Sequence, residues 1–160
     1  MSTTAFDLKA FLSEIVRRNA DRLASDLSHL TSEQLTASPM GVARSPLHFS
    51  AECIGFNSLV AGALAGKSSG MPSQEHRDAF FASIDSLEKA QAGLKRSADE
   101  IVTAIEGVDE AKLTAEATAP WGQPMPLYML VYIAADHMTY HDGQANYIQT
   151  LYGDAEVHWG

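Results

Sequence analysis

The sequence predicts an all-α protein, an antiparallel four-helix bundle, from three observations. Four long segments carry apolar residues at three- and four-residue spacing, no segment shows a convincing strand alternation, and the intervening loops are long enough to cross an end of a bundle. In the first segment Phe11, Ile15, Leu23, Leu27 and Leu30 form the apolar stripe, and Arg17, Arg18, Asp21 and Arg22 the polar face, of a helix over about residues 5–29. Thr31 and Gln34 have capping-box spacing for a short helical turn, and Thr36 to Arg44 reads as loop. Ser45-Pro46 opens the second helix: serine caps, and proline suits the first helical position, where its missing N–H has no partner to lose. That helix runs to about Ala65, with Gly66 placed to end it.

The third helix is expected from about Gln74 to Glu106, with Phe80, Ile84, Leu87, Leu94, Ile101 and Ile105 on one stripe. Gly107 ends it, and Val108 to Leu113 forms another short turn. A Pro- and Gly-rich stretch from Ala119 to Pro126 leads to the last helix, about Pro126 to Leu151, stopped by Gly153. Pro46-Leu47 and Pro126-Leu127 sit 80 positions apart in matching places, a pattern that a duplicated helix pair or simple coincidence would give.

At 160 residues and 46% hydrophobic content, one domain over 1–160 with a sizeable core is expected. No run of about 18 uninterrupted apolar residues occurs, which excludes a transmembrane helix. Met1 to Phe11 carries Asp7 and lacks a basic stretch before an apolar one, so it does not read as a secretory signal. The lone Cys53 allows no internal disulfide, which fits a reducing, cytoplasmic location. Eleven Lys and Arg against 20 Asp and Glu give a net charge of −9. An acidic chain without a basic stripe is a poor holder of phosphate backbone, so neither nucleic acid nor a membrane is expected as partner.

The strongest local signal is His137-Met138-Thr139-Tyr140-His141. Four helical residues advance about 400°, so the two imidazoles leave the helix on nearly the same side. Such a pair can place two ring nitrogens on one metal ion, although Met138 stands where a zincin has glutamate. Leu130, Ala134 and Ile148 lie on or near the same face, directing the pair into the bundle, where neutral imidazoles need partners or a metal. Gln144 returns to that face as an amide that can orient a ligand or face substrate, and Gly143 allows close approach of a helix or ligand. His48, in the first turn of the second helix, is the natural third ligand. Glu52, one turn on, can orient His48, act as a base on bound water, or pair with a surface lysine.

Other residues read as structural. Asp136 and Asp142 point about 100° from their histidine neighbours and suit solvent or a helix interface. Cys53, about 140° round the helix from His48, reads as a small buried apolar residue. His29 complements a helix C-terminus, and His76 lies in a solvated context. The tail Val157-His158-Trp159-Gly160 is either disordered or folded over a pocket with Trp159 as its cover.

His48 on a proline-started second helix, with His137-x-x-x-His141-x-Gly143-Gln144 and the continuation Asn146 to Asp154, resembles the DinB/YfiT-like family of metalloenzymes. The likeness follows nearly the whole chain in helix order, and its specific part is His48 and the segment from His137 to Gly153. The resemblance implies a four-helix bundle of unusual topology, a three-histidine divalent metal site at His48, His137 and His141, and a homodimer. Members of the family include thiol-dependent S-transferases using bacillithiol, and a mycothiol-dependent isomerase shares the fold.

Three imidazoles leave a coordination position open, as in catalytic rather than closed structural sites. An ion there lowers the pKa of a bound thiol or water. Zinc is the first choice, and nickel and iron also suit imidazole. The expected activity is S-transfer from a low-molecular-weight thiol to a small electrophilic substrate, a detoxification chemistry like that of glutathione S-transferases. Glu52 and Gln144 are the candidate catalytic residues, and Arg44 is the one cation expected near the thiol. The alternatives are a metal-dependent hydrolase, a metal- or small-molecule-binding protein without turnover, and a dimeric bundle whose histidines merely pack.

Overall fold

A computed structural model describes residues 6–67 and 70–158. The first helix, α1, spans Leu8–Leu27 and starts where Asp7 accepts a bond from the Ala10 N–H at 2.9 Å, shorter at both ends than expected. The short α2, Ser32–Thr36, carries the expected capping box of Thr31 and Gln34 in both directions. Helix α3 is Pro46–Leu64, with Ser45 accepting from the His48 N–H and Gly66 turning the chain at φ +68°.

The expected third helix is two helices. α4 covers Gln74–Ser83 and α5 covers Leu87–Gly107. Ser86 caps α5 by accepting from the Lys89 N–H, and Asp85 pairs with Lys89 at 2.7 Å. This local chemistry outcompetes the apolar periodicity that runs through Ile84. The break turns α4 onto α3, so Phe80 leaves the stripe that Leu94, Ile101 and Ile105 continue.

After α6, Glu110–Thr114, the Pro/Gly stretch forms a small hairpin the sequence did not signal. Strand β1, Glu116–Thr118, pairs antiparallel with β2, Pro124–Pro126, in the register Ala117 to Met125. Three residues per strand are too few for an alternation to show, and Gly122 at φ +93° makes the turn. Helix α7 then runs Leu127–Leu151, one residue later than expected because Pro126 takes the cap position.

The all-α bundle comprises α1, α3, α5 and α7, and its cross-links give the direction of each helix. Asn19 donates to the Ala135 carbonyl and Asn146 to Asp26, so α1 and α7 run parallel. Asn57 to Ser97 and Ser58 to Glu100 show the same for α3 and α5. Gln91 to Ala24 and Lys9 to Glu106 set α1 against α5, and Phe49 on His141 with Asn57 on Met138 sets α3 against α7. Each chain-consecutive pair, α1–α3 and α5–α7, is thus antiparallel, while its members pack chiefly on the other pair.

Helix α5 meets α3 closely at Gly93, where an added Cβ would lie 2.5 Å from Ile54 Cδ1. Gly93→Ala is therefore expected to destabilise the fold by about 1–3 kcal/mol through overpacking, despite alanine's better helix propensity. A lower urea midpoint at unchanged m-value would show it.

Candidate metal centre

The centre lies where α3 faces α7. Both helices bury apolar residues around it, with Phe49, Ile54, Leu130, Ala134 and Met138 almost wholly enclosed. His141 is 1% exposed, and its ring stacks on Phe49 at 5.0 Å between centroids and 9° between planes. His137 is half-buried, with Phe56 edge-on at 5.3 Å. The i, i+4 spacing brings His137 Nε2 and His141 Nε2 to 3.0 Å. His141 Nδ1 donates to Gln144 Oε1 at 2.8 Å, which leaves the lone pair on Nε2. His137 Nδ1 is buried without a hydrogen-bond partner among the described residues.

Burial holds both rings neutral at pH 7. It pushes His141 down to about 4, the bond to Gln144 acting weakly the other way, and it lowers His137 as well.

Glu52 links the remaining expected residues. Its carboxylate lies 3.6 Å from His141 Nε2 and 3.4 Å from His48 Nε2, and Arg44 forms an ion pair with it. Glu52 thus pairs with Arg44 rather than with a surface lysine, and lies beside two histidines. His48 stands on the outer side of that carboxylate, 42% exposed, with Phe81 edge-on at 5.1 Å. Among the described residues, the group of three whose potential ligand atoms lie within 4.8 Å of one another is Cys53, His137 and His141, and His48 is outside it. Cys53 is fully buried, as expected of a small apolar residue. Its burial, with the Glu52 charge adding, pushes the thiol strongly up, so it keeps its proton. Sequence reasoning missed its nearness because the helical angle was measured from His48, whereas α7 crosses the Cys53 side of α3.

Two cavities flank the centre and share Arg44. One, of about 460 Å³, reaches Phe49, Tyr140, Gly143 and Gln144. No atom lies within 4 Å of a Cβ built at Gly143, so this glycine faces open space rather than a close helix contact. The other, of about 530 Å³, reaches Glu52 and His137 and is walled by Phe56, Phe80 and Phe81. Its α4 wall went unseen because the expected continuous helix would have carried Phe80 into the bundle.

The other charged groups fall as expected or close to it. Asp136 is exposed, and Asp142 is buried at the interface with α1. His76 is exposed at the rim of the larger cavity. His158 folds back not onto the centre but onto the end of α1, stacking on His29 at 3.6 Å and bonding Asp154 at 2.8 Å. Trp159 lies outside the described residues.

Neither a family model nor a curated protein matches this sequence. Solved structures do. A conserved protein of Enterococcus faecalis superposes with a TM-score of 0.70 at 17% identity, over 92% of this chain and 98% of that one. Mycothiol-dependent maleylpyruvate isomerase superposes with a TM-score of 0.62 at 18% identity, over 86% of this chain. A histidine-to-alanine variant of that isomerase gives 0.63 at 14% identity. The fold is shared. The superposition covers 60% of the isomerase, so its bundle is one part of a longer chain. No helix among the described residues is long and apolar enough to cross a membrane.

The donor set suits a divalent transition ion. Two nitrogens held at about 2.0–2.1 Å from one ion sit roughly 3.0–3.4 Å apart, and the two Nε2 atoms are already 3.0 Å apart.

Proposed function

We propose that this chain is a DinB/YfiT-like metal-dependent transferase that joins a low-molecular-weight thiol to a small electrophile. The supporting observation is the pair of facing, neutral imidazole nitrogens, with Gln144 setting the tautomer of His141, beside an arginine-paired carboxylate. Zinc is the proposed ion, with nickel and iron as competitors. His137, His141 and His48 are the proposed ligands. His48 is preferred to Cys53 because it is exposed and lies against Glu52, whereas burial holds the Cys53 thiol protonated.

The bound ion would lower the pKa of a thiol at the centre. Glu52 takes the S–H proton, and Arg44 keeps Glu52 directed at the centre. The sulfur lone pair forms a C–S bond to the electrophilic carbon, and the bond from that carbon to its leaving group breaks with its electron pair. With an aryl chloride the products are a thioether and chloride, and the proton passes from Glu52 to water. Gln144 fixes the His141 ring throughout. The similarity to a mycothiol-dependent enzyme supports a thiol as the co-reactant. This chemistry belongs in a cytoplasm that keeps thiols reduced. The exposed Tyr140, Tyr147 and Leu151 along α7 are the surface proposed for a homodimer.

Metal-loaded protein given mycothiol, bacillithiol or glutathione with a chlorodinitrobenzene should release chloride in step with thioether. Glu52→Gln should slow this by about 10²–10⁴-fold. Full metal loading with no turnover on any of these thiols would refute the transferase reading.

A further inference from the structure

We propose that the 530 Å³ cavity between α3 and α4 binds a flat, largely apolar carboxylate, with Arg77 as the group that recognises the charge. This deepens the transferase reading and rests on it in one respect: the carboxylate is borne by the electrophile.

Shape and lining come first. The volume lies within the range of small-molecule sites. Phe80 and Phe81 meet edge to face at 6.2 Å on the α4 side, and Phe56 stacks on Trp121 on the α3 side. Aromatic walls of this kind favour a planar group. Glu52 and His137 form one boundary of the cavity, so a planar guest there lies against the metal centre.

Charge then selects among planar guests. The chain carries nine more acidic than basic groups, yet this cavity is lined by two arginines and one carboxylate. Arg44 is taken up by Glu52. Arg77 is not neutralised: its hydrogen bonds go to the Pro72 carbonyl and to Gln74 Oε1, both uncharged, and it forms no ion pair among the described residues. A half-buried guanidinium with uncharged partners keeps N–H donors and a full positive charge for an incoming anion. The smaller cavity lacks this feature, since its cation is the already paired Arg44.

The position of Arg77 makes the idea testable without unfolding the protein. Helix α4 buries no residue and packs chiefly against α3. The probes are trans-cinnamate and trans-cinnamamide, matched in shape and different in charge, titrated calorimetrically into the whole chain without added metal. Cinnamate should bind at least about 10-fold more tightly than the amide, the worth of one charge-assisted contact. Arg77→Gln should bring the two affinities together while leaving that of the amide unchanged, and Phe81→Ala should weaken both. Equal affinities for the two probes, binding of neither, or a preference that survives Arg77→Gln would overturn the proposal. A preference for cinnamate in a protein that never takes up metal would uphold this inference and refute the transferase reading. Turnover of charged and neutral electrophiles at equal rates would do the reverse.

Discussion

His141→Ala is expected to strip the protein of its metal. Purified without tag or chelator, the parent chain should carry about one equivalent of a transition ion, and the variant less than about a tenth. The reason is geometric. His141 is 1% exposed, clamped against Phe49 and oriented by Gln144, and its Nε2 is the one nitrogen that faces both His137 and Glu52. Gln144→Ala should keep the ligand and lose its orientation, weakening metal binding by about 10–100-fold. Elemental analysis of His48→Ala beside Cys53→Ala settles the third ligand. Loss in the first and retention in the second supports three histidines, and the opposite result assigns the sulfur. Full metal content in His141→Ala would place the ion elsewhere.

Asp142→Asn is expected to stabilise the protein at alkaline pH. Asp142 is 3% exposed and faces the fully buried Asp26 across the α1–α7 interface. Burial pushes its carboxyl up to about 8, the hydrogen bond to Asp26 and its charge adding, and the Arg22 charge opposing. Asn146 donates to Asp26 Oδ2 at 2.6 Å. Asp26 Oδ1 and Asp142 Oδ1 have no donor among the described residues, so a proton shared by the two carboxyls is what satisfies them. Below about pH 4 folded and unfolded chains both hold this proton. From there to about pH 8 the folded chain keeps a proton that the unfolded chain releases, so stability falls as pH rises. An asparagine amide supplies the donor permanently. The variant should melt about 4–8 °C higher at pH 8, roughly 2 kcal/mol for a domain of this size, and the difference should vanish near pH 4. A lower melting temperature at pH 8 would mean that Asp142 is ionised and held by Arg22.

What the sequence made legible was chemistry written in adjacent residues. Ser45-Pro46 and Thr31 with Gln34 started helices where they were expected to, and the His137–His141 spacing brought two nitrogens together. The apolar stripe through Phe80, Ile84 and Leu87 predicts one helix, whereas Ser86 caps a new one and the chain breaks there. The larger cavity was illegible for that reason: its α4 wall exists because the chain breaks at 84–86. The nearness of Cys53 to the histidines was illegible for another. Angles around one helix say which residues share a face, but only the crossing of α7 says which face meets the histidines. The carboxyl pair Asp26 and Asp142 joins residues 116 positions apart and left no local trace.

The parallel packing of α1 against α7 carries a kinetic consequence. Hydrogen bonds between them join residues separated by 116–123 positions, so they close nearly the largest loops this chain can form. Helical bundles owe their speed to short-range contacts, and here a substantial share of the core lacks them. The loop entropy must be spent before α1 and α7 gain anything from each other, which separates helix formation from bundle closure in time. Refolding should therefore be slower than that of a simple up-and-down bundle of equal length. The candidate metal centre joins α3 to α7 across 84 positions, Cys53 to His137, so it too forms only once the chain has closed on itself.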